Sequence, residues 1–276
     1  MKTLLFVAGV LFCMSAQAQY YYKDVVGTAE TAAMLRSYKQ GNVSRVVLAS
    51  FDADNTRNED LVAEQQFDAG SGTLKTTTRS GLDGSALLVA HTDATGRVVR
   101  TVDSSENSTT TTTYKYNAEG KLVNVLSISS DKAGTFSVQE EHQWQWDGGR
   151  ITGMLRIRNG KDTTIITFRH DEQGNIIEEH AQRNGVKQEP VYYYYNDKSQ
   201  LTDIVRFNNK AKRLLPEYMF EYNDAGQVIQ RITFPANSSE YTIWRYQYNG
   251  QGLRIREAIY NKQKQLTGKV EYSYQK

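Results

Sequence analysis

From residue 61 onward, apolar and polar residues alternate in short runs, and most runs end in one recurring phrase. It reads aromatic, any, aromatic, Asn or Asp, two small or polar residues, Gly, polar, aliphatic. The clearest copies are Tyr114-Lys115-Tyr116-Asn117-Ala118-Glu119-Gly120-Lys121-Leu122 and Phe220-Glu221-Tyr222-Asn223-Asp224-Ala225-Gly226-Gln227-Val228. Anchored on the second aromatic, the series is Phe67, Thr92, Tyr116, Trp146, His170, Tyr195, Tyr222, Tyr248 and Tyr274. The period of roughly 25 residues predicts an array of small units, not one irregular core.

The phrase has a mechanical reading. A type I turn favours Asn or Asp at its first position and Gly at its fourth, and the fourth residue then takes a left-handed conformation beside a bulge. Asp93 to Gly96, Asn117 to Gly120, Asp171 to Gly174, Asn223 to Gly226 and Asn249 to Gly252 keep that spacing. Ser199 stands in the Gly slot after Asn196, and Asp147-Gly148-Gly149 suits a tighter turn. Strict alternation in Val270-Glu271-Tyr272-Ser273-Tyr274 and the β-branched run Ser108 to Thr113 predict strands on the flanks. Each unit is then a hairpin. The expected fold is all-β: antiparallel, consecutive β-hairpin repeats, about sixteen strands, forming one large curled sheet or barrel-like shell.

The turn phrase resembles the YD repeat of Rhs-type proteins, more strongly from Ala90 onward and more weakly from Leu61. That resemblance implies long antiparallel sheets coiled into shells. This chain departs from the large family members by its short length and by lacking the Arg that precedes their aromatic pair. It is similar to small secreted repeat proteins of Gram-negative gut bacteria.

Ahead of the repeats the pattern changes. Residues 1–18 read as a signal peptide: Lys2, an apolar stretch from Leu4 to Met14, and the small-residue site Ala16-Gln17-Ala18. Residues 19–60 hold a short helix, expected from a cap at Thr28 through Gln40 with Gly41 terminating it, and a first strand from Val43 to Phe51. The helix is expected to pack over the first strands and cover an exposed sheet edge. Residues 61–276 form the repeat domain. The sole Cys, Cys13, falls within the leader, so no disulfide framework is expected. The expected location is exported: periplasm, cell surface or extracellular.

Net charge is only +2 and basic residues are scattered, so no nucleic-acid partner is expected; the cluster from Lys210 to Arg213 reads as a hairpin tip. No segment after the leader is long and apolar enough for a transmembrane helix. The four histidines lack metal-ligand spacing, and the neighbours Glu140-Glu141 and Glu178-Glu179 should point to opposite faces of a strand. No phosphate loop or nucleophile elbow occurs. The chain is therefore expected to need no cofactor or metal, to carry no catalytic residues and not to be an enzyme.

The 18 tyrosines are the remaining chemistry. They serve either as a cross-strand ladder holding the sheet or as a ring surface stacking on a partner. Four consecutive rings, Tyr192, Tyr193, Tyr194 and Tyr195, cover both faces and are the best candidate contact surface, for a surface glycan or a protein. Asp162-Thr163-Thr164 resembles a bacterial O-glycosylation site at a hairpin end. The expected function is an exported non-enzymatic repeat scaffold of the periplasm or cell surface. The alternatives are an outer-membrane β-barrel and a carbohydrate-active hydrolase. The charges on both strand faces and the Gln275-Lys276 terminus weigh against the barrel.

Overall fold

The structure is a computed structural model that describes residues 19–81, 84–209, 211–235 and 238–276; the leader, with Cys13, lies outside the described residues, as do Lys210 and Asn237. A turn of π-helix (Tyr21–Val26) runs directly into helix α1 (Gly27–Gln40). The strands that follow are β1 (Arg45–Asp52), β2 (Arg57–Asp68), β3 (Thr73–Ser80), β4 (Gly84–Thr92), β5 (Val98–Ser104), β6 (Ser108–Tyr116) and β7 (Leu122–Asp131). Next are β8 (Ser137–Asp147), β9 (Arg150–Arg158), β10 (Asp162–His170), β11 (Ile176–Arg183), the two-residue β12 (Val186–Lys187) and β13 (Val191–Tyr195). The last are β14 (Leu201–Asn208), β15 (Arg213–Tyr222), β16 (Val228–Thr233), β17 (Thr242–Tyr248), β18 (Arg254–Tyr260) and β19 (Leu266–Gln275).

Each long strand pairs antiparallel with the next; β11 also reaches β13 past the short β12. β19 then pairs with β1 over eight residues, Arg45 opposite Gln275 through Asp52 opposite Gly268. The sheet therefore closes into a barrel of 18 strands. The all-β hairpin array is as expected from the repeat, with the strand total above the expected sixteen or so.

The turns behave as the phrase dictates. The backbone N–H at the fourth position donates to the first carbonyl in each unit, at 2.9 Å for Gly120 to Asn117 and 3.0 Å for Gly226 to Asn223. The Asn or Asp side chain holds the loop from inside: Asn117 Oδ1 accepts from the backbone N–H of Glu119 and of Lys121. Ser199 takes φ of 55°, in the same slot where Gly226 has 78°. Lys264 repeats the arrangement after Asn261, with φ of 60°, in a linker whose sequence does not announce it.

A register shift lies beside each of these turns, just before it at Lys115 and Tyr116 or Glu221 and Tyr222, for example. Around it, the two aromatics of the phrase both point into the barrel and the residue between them points out. Trp144, Tyr193, Phe220 and Tyr246 are buried, whereas the intervening Gln145, Tyr194, Glu221 and Gln247 are exposed. The carboxylate neighbours split likewise: Glu179 is buried at 1% exposure, and Glu178 lies on the outer face paired with Arg169.

The helix corrects the expectation drawn from sequence. It does not cover an edge, because a closed sheet has none; it fills the lumen. Tyr38 bonds to Gln65 on β2 and packs on Phe67 of β2 and Tyr274 of β19. Tyr22 packs on Tyr218 and Phe220 of β15, Tyr21 on Tyr193 of β13, and Asp24 bonds to β8. One segment reaches strands all round the ring only from inside it. Two apolar clusters mark its ends: Tyr22 among strands β7 to β15, and Leu35 and Tyr38 among β1 to β5 and β18–β19. Thr28 is not the cap. The helix is already running there, and Thr28 Oγ1 donates back to the Asp24 carbonyl. Gly41 keeps a right-handed conformation, and Asn42 takes the left-handed one (φ 52°).

Candidate functional site

The tyrosine run obeys the barrel's alternation. Tyr193 is buried at 2% exposure, its hydroxyl donating to Glu179 Oε2 at 2.8 Å. Tyr195 lies half-buried on the same inner side and donates to the Ile176 carbonyl. Tyr192 and Tyr194 face outward, Tyr194 at 48% exposure. The four rings are thus not one surface. Two belong to the packed lumen, and only Tyr192 and Tyr194 are turned to the outside. At the other motif, Thr163 is exposed on β10 and Thr164 is buried.

Polar groups in the lumen are tied to the helix. Glu179 accepts the backbone N–H groups of Tyr20 and Tyr21, the free donors at the start of the helical segment. Burial pushes its carboxyl up, and those hydrogen bonds pull the other way. His142 on β8 stands between Asp24 (Nδ1 to Oδ2, 2.6 Å) and Glu140 (Nε2 to Oε1, 3.0 Å). Burial opposes its charge, but the two carboxylates more than offset that and hold it at about 9. Glu140 also pairs with Arg156 at 2.5 Å, and despite burial its bonds to His142 and Arg156 hold it at about 2. Asp24 takes a further bond from Trp144 Nε1 at 3.1 Å. This cluster pins the helix to β8 and β9.

The lumen is not full. Between α1 and strands β15 to β19 lies a cavity of about 410 Å³, within the range of small-molecule sites. Rings of Tyr222, Tyr246, Tyr248 and Tyr274 line it, with Arg231, Arg254 and, from the helix, Glu30. Glu30 and Ala33 are exposed, so the cavity opens to solvent along the helix. Arg254 is compensated: its Nη1 is 3.2 Å from Glu257, and its guanidinium lies 4.2 Å from the Tyr246 ring centre. Although Glu30 keeps part of its surface open to solvent, the surrounding barrel wall desolvates its carboxyl and raises it, and Arg231 and Arg254 counter that. Among the described residues no group of three His, Cys, Asp or Glu is placed to hold a metal. The sequence could not show this cavity, because its walls come from five successive strands and a helix far away in the chain.

No family profile matches the chain. It is 27% identical over 179 residues to the tRNA3(Ser)-specific nuclease WapA of Bacillus spizizenii, and 27% over 195 residues to the tRNA nuclease WapA of Bacillus subtilis. Each match takes in 60% of this chain but spans only 7% and 8% of those proteins. WapA is a YD-repeat-containing family, in partial agreement with the resemblance of the turn phrase. Among solved structures, a porin-like protein from Bacteroides uniformis covers 84% of this chain and 96% of its own, at 13% identity and a TM-score of 0.42. The Tc holotoxin pore of Photorhabdus luminescens covers 78% of this chain and 12% of its own, at 13% identity and a TM-score of 0.34.

The nuclease relatives correct one expectation. The chain was expected not to be an enzyme because no catalytic motif is legible, yet the curated relatives it matches are named as nucleases. In a barrel, reactive groups converge from different strands, so a missing local motif says little about activity. Among the described residues no helix is long and apolar enough to cross a membrane; that leaves membrane-crossing strands open.

Proposed function

We propose that the protein is an exported, water-facing closed barrel that binds a ligand or partner in the periplasm or at the cell surface, its lumen held by its own N-terminal segment. The observation that carries this reading is the outer face. Outward positions hold the ion pairs Arg45–Glu64, Arg169–Glu178 and Arg256–Glu271, and the polar row Glu221, Gln230 and Arg245, of which Gln230 and Arg245 lie mid-strand. A lipid-facing band is apolar, and an Arg or Lys at its centre costs about 2–4 kcal/mol. Residues 1–18 support export.

The test is fractionation of a Gram-negative host expressing the full chain. Release by osmotic shock supports the reading. Recovery in the outer-membrane pellet with heat-modifiable migration would replace it with the membrane barrel. The names of the curated relatives favour a second reading, cleavage of tRNA. Incubating the purified protein with tRNA and following the RNA on a denaturing gel decides that reading.

A further inference from the structure

The cavity beside the helix has a defined chemistry. Arg231 on β16 lies over the Trp244 ring, 5.3 Å from its centre, and lines the cavity. Its buried Nε has no acceptor, and among the described residues it forms no salt bridge or hydrogen bond. Glu30 and Glu257 act on this guanidinium only through space; a buried guanidinium N–H with no hydrogen-bonded acceptor is costly, so an acceptor is expected from outside the chain. The neighbouring Arg254 is already served by Glu257, and the hydroxyls of Tyr222, Tyr248 and Tyr274 are spent on backbone carbonyls. Arg231 is therefore the unsatisfied donor of this wall.

Across the cavity, Glu30 on α1 is the complementary group. Among the described residues it has no salt bridge or hydrogen bond, and it is exposed to the cavity's solvent. A simple anion would meet Arg231 and be repelled by Glu30. A ligand with both an anionic oxygen and hydroxyl donors satisfies both walls. Between them the tyrosine rings offer flat apolar faces for a ring to lie against.

We propose that this cavity binds a sugar acid, its carboxylate on Arg231, its hydroxyls on Glu30 and its ring against the tyrosines. The proposal deepens the reading of the chain as a binding barrel by naming the ligand class, and the two fail separately. Recovery in a membrane fraction would sink the water-facing reading and leave a titration untouched.

The test is calorimetric titration of the purified exported protein with glucuronate, glucose and benzoate. Glucuronate is expected to bind, with glucose and benzoate each at least ~10-fold weaker, because each lacks one of the two groups. Arg231→Gln is expected to lower glucuronate affinity ~10-fold or more while leaving the weak glucose binding unchanged. Glu30→Gln keeps a hydrogen-bond acceptor at an exposed helix site. It is expected to spare folding and to strengthen benzoate relative to glucuronate. Absence of glucuronate binding, or equal affinity for all three compounds, overturns the proposal. So does an unchanged affinity in a folded Arg231→Gln protein. If Arg231→Gln fails to fold, the three-ligand ranking and the Glu30→Gln shift decide alone.

Discussion

Tyr222 donates its hydroxyl to the carbonyl oxygen of Leu201 at 2.7 Å. The bond ties the aromatic end of one hairpin to the aliphatic start of the hairpin before it. The same tie recurs from Tyr116 to Val98, Tyr195 to Ile176, Tyr248 to Val228 and Tyr274 to Arg254, and Trp146 makes it to Leu122 through Nε1. The second aromatic of the phrase is thus a staple between units, which a ring ladder alone would not require. Tyr222→Phe keeps the ring and removes the staple. It is expected to cost about 1 kcal/mol in urea unfolding, with little change in the slope. A loss indistinguishable from zero would mean that water serves the Leu201 carbonyl equally well.

Ser199 and Gly226 occupy the same turn position with left-handed φ of 55° and 78°. A side chain there is strained by its Cβ. Gly226→Val is expected to destabilise by about 1–2 kcal/mol, and its Cβ would also lie 3.3 Å from Gln200 Nε2. Ser199→Gly is expected to stabilise by up to about 1 kcal/mol. It gives up only an exposed contact from Asn175 at 3.3 Å and overcomes the added freedom of the unfolded chain. Thermal melts of the two variants should move in opposite directions; movement the same way would refute the shared geometry.

The hairpins were legible because each rests on local chemistry: Asn117 before Gly120, or Tyr114 and Tyr116 two residues apart. Closure was not, because the pairing of Arg45 to Asp52 with Gly268 to Gln275 joins segments more than 200 residues apart and no local preference encodes it. The helix is legible from Thr28 to Gln40, but its earlier start at Tyr21 and its place inside the barrel are not. Tyr22, Leu35 and Tyr38 show which face is apolar, but not whether the sheet they meet is open or closed. The cavity residues were unreadable for the same reason, since Arg231 and Glu30 are ordinary surface-type residues until the barrel brings them face to face.

The tyrosine run gives a sharp contrast between the two faces. Replacing Tyr192 and Tyr194 with Ser removes outward rings and is expected to cost less than about 1 kcal/mol. Tyr193→Ser empties a site beside Tyr21 and leaves the buried Glu179 without its hydroxyl partner. It is expected to cost about 3–5 kcal/mol. Chemical denaturation of both proteins decides, and equal large losses would mean that the outer face is also covered.

The His142 cluster makes stability depend on pH in a direction that can be worked out. Asp24 from the helix, Glu140 from its own strand, Arg156 from β9 and the edge-on ring of Tyr20 surround the imidazole. The two carboxylates lift His142 from 6.5 to about 9 in the folded state. A raised pKa means that the folded protein holds this proton more tightly than the unfolded chain. The contribution is therefore complete below about pH 6.5 and is lost as pH rises through about 9. At roughly 1.4 kcal/mol per unit it amounts to no more than about 3.5 kcal/mol. Tyr20, pushed up to about 12 by burial, titrates above this window. Urea unfolding followed from pH 6 to 9.5 should show the wild-type protein weakening, while His142→Gln starts lower and stays level, the two converging at the alkaline end. A wild-type profile flat across that range would mean that the folded barrel holds the His142 proton no more tightly than the unfolded chain, and that a neutral imidazole joins Trp144 in donating to Asp24.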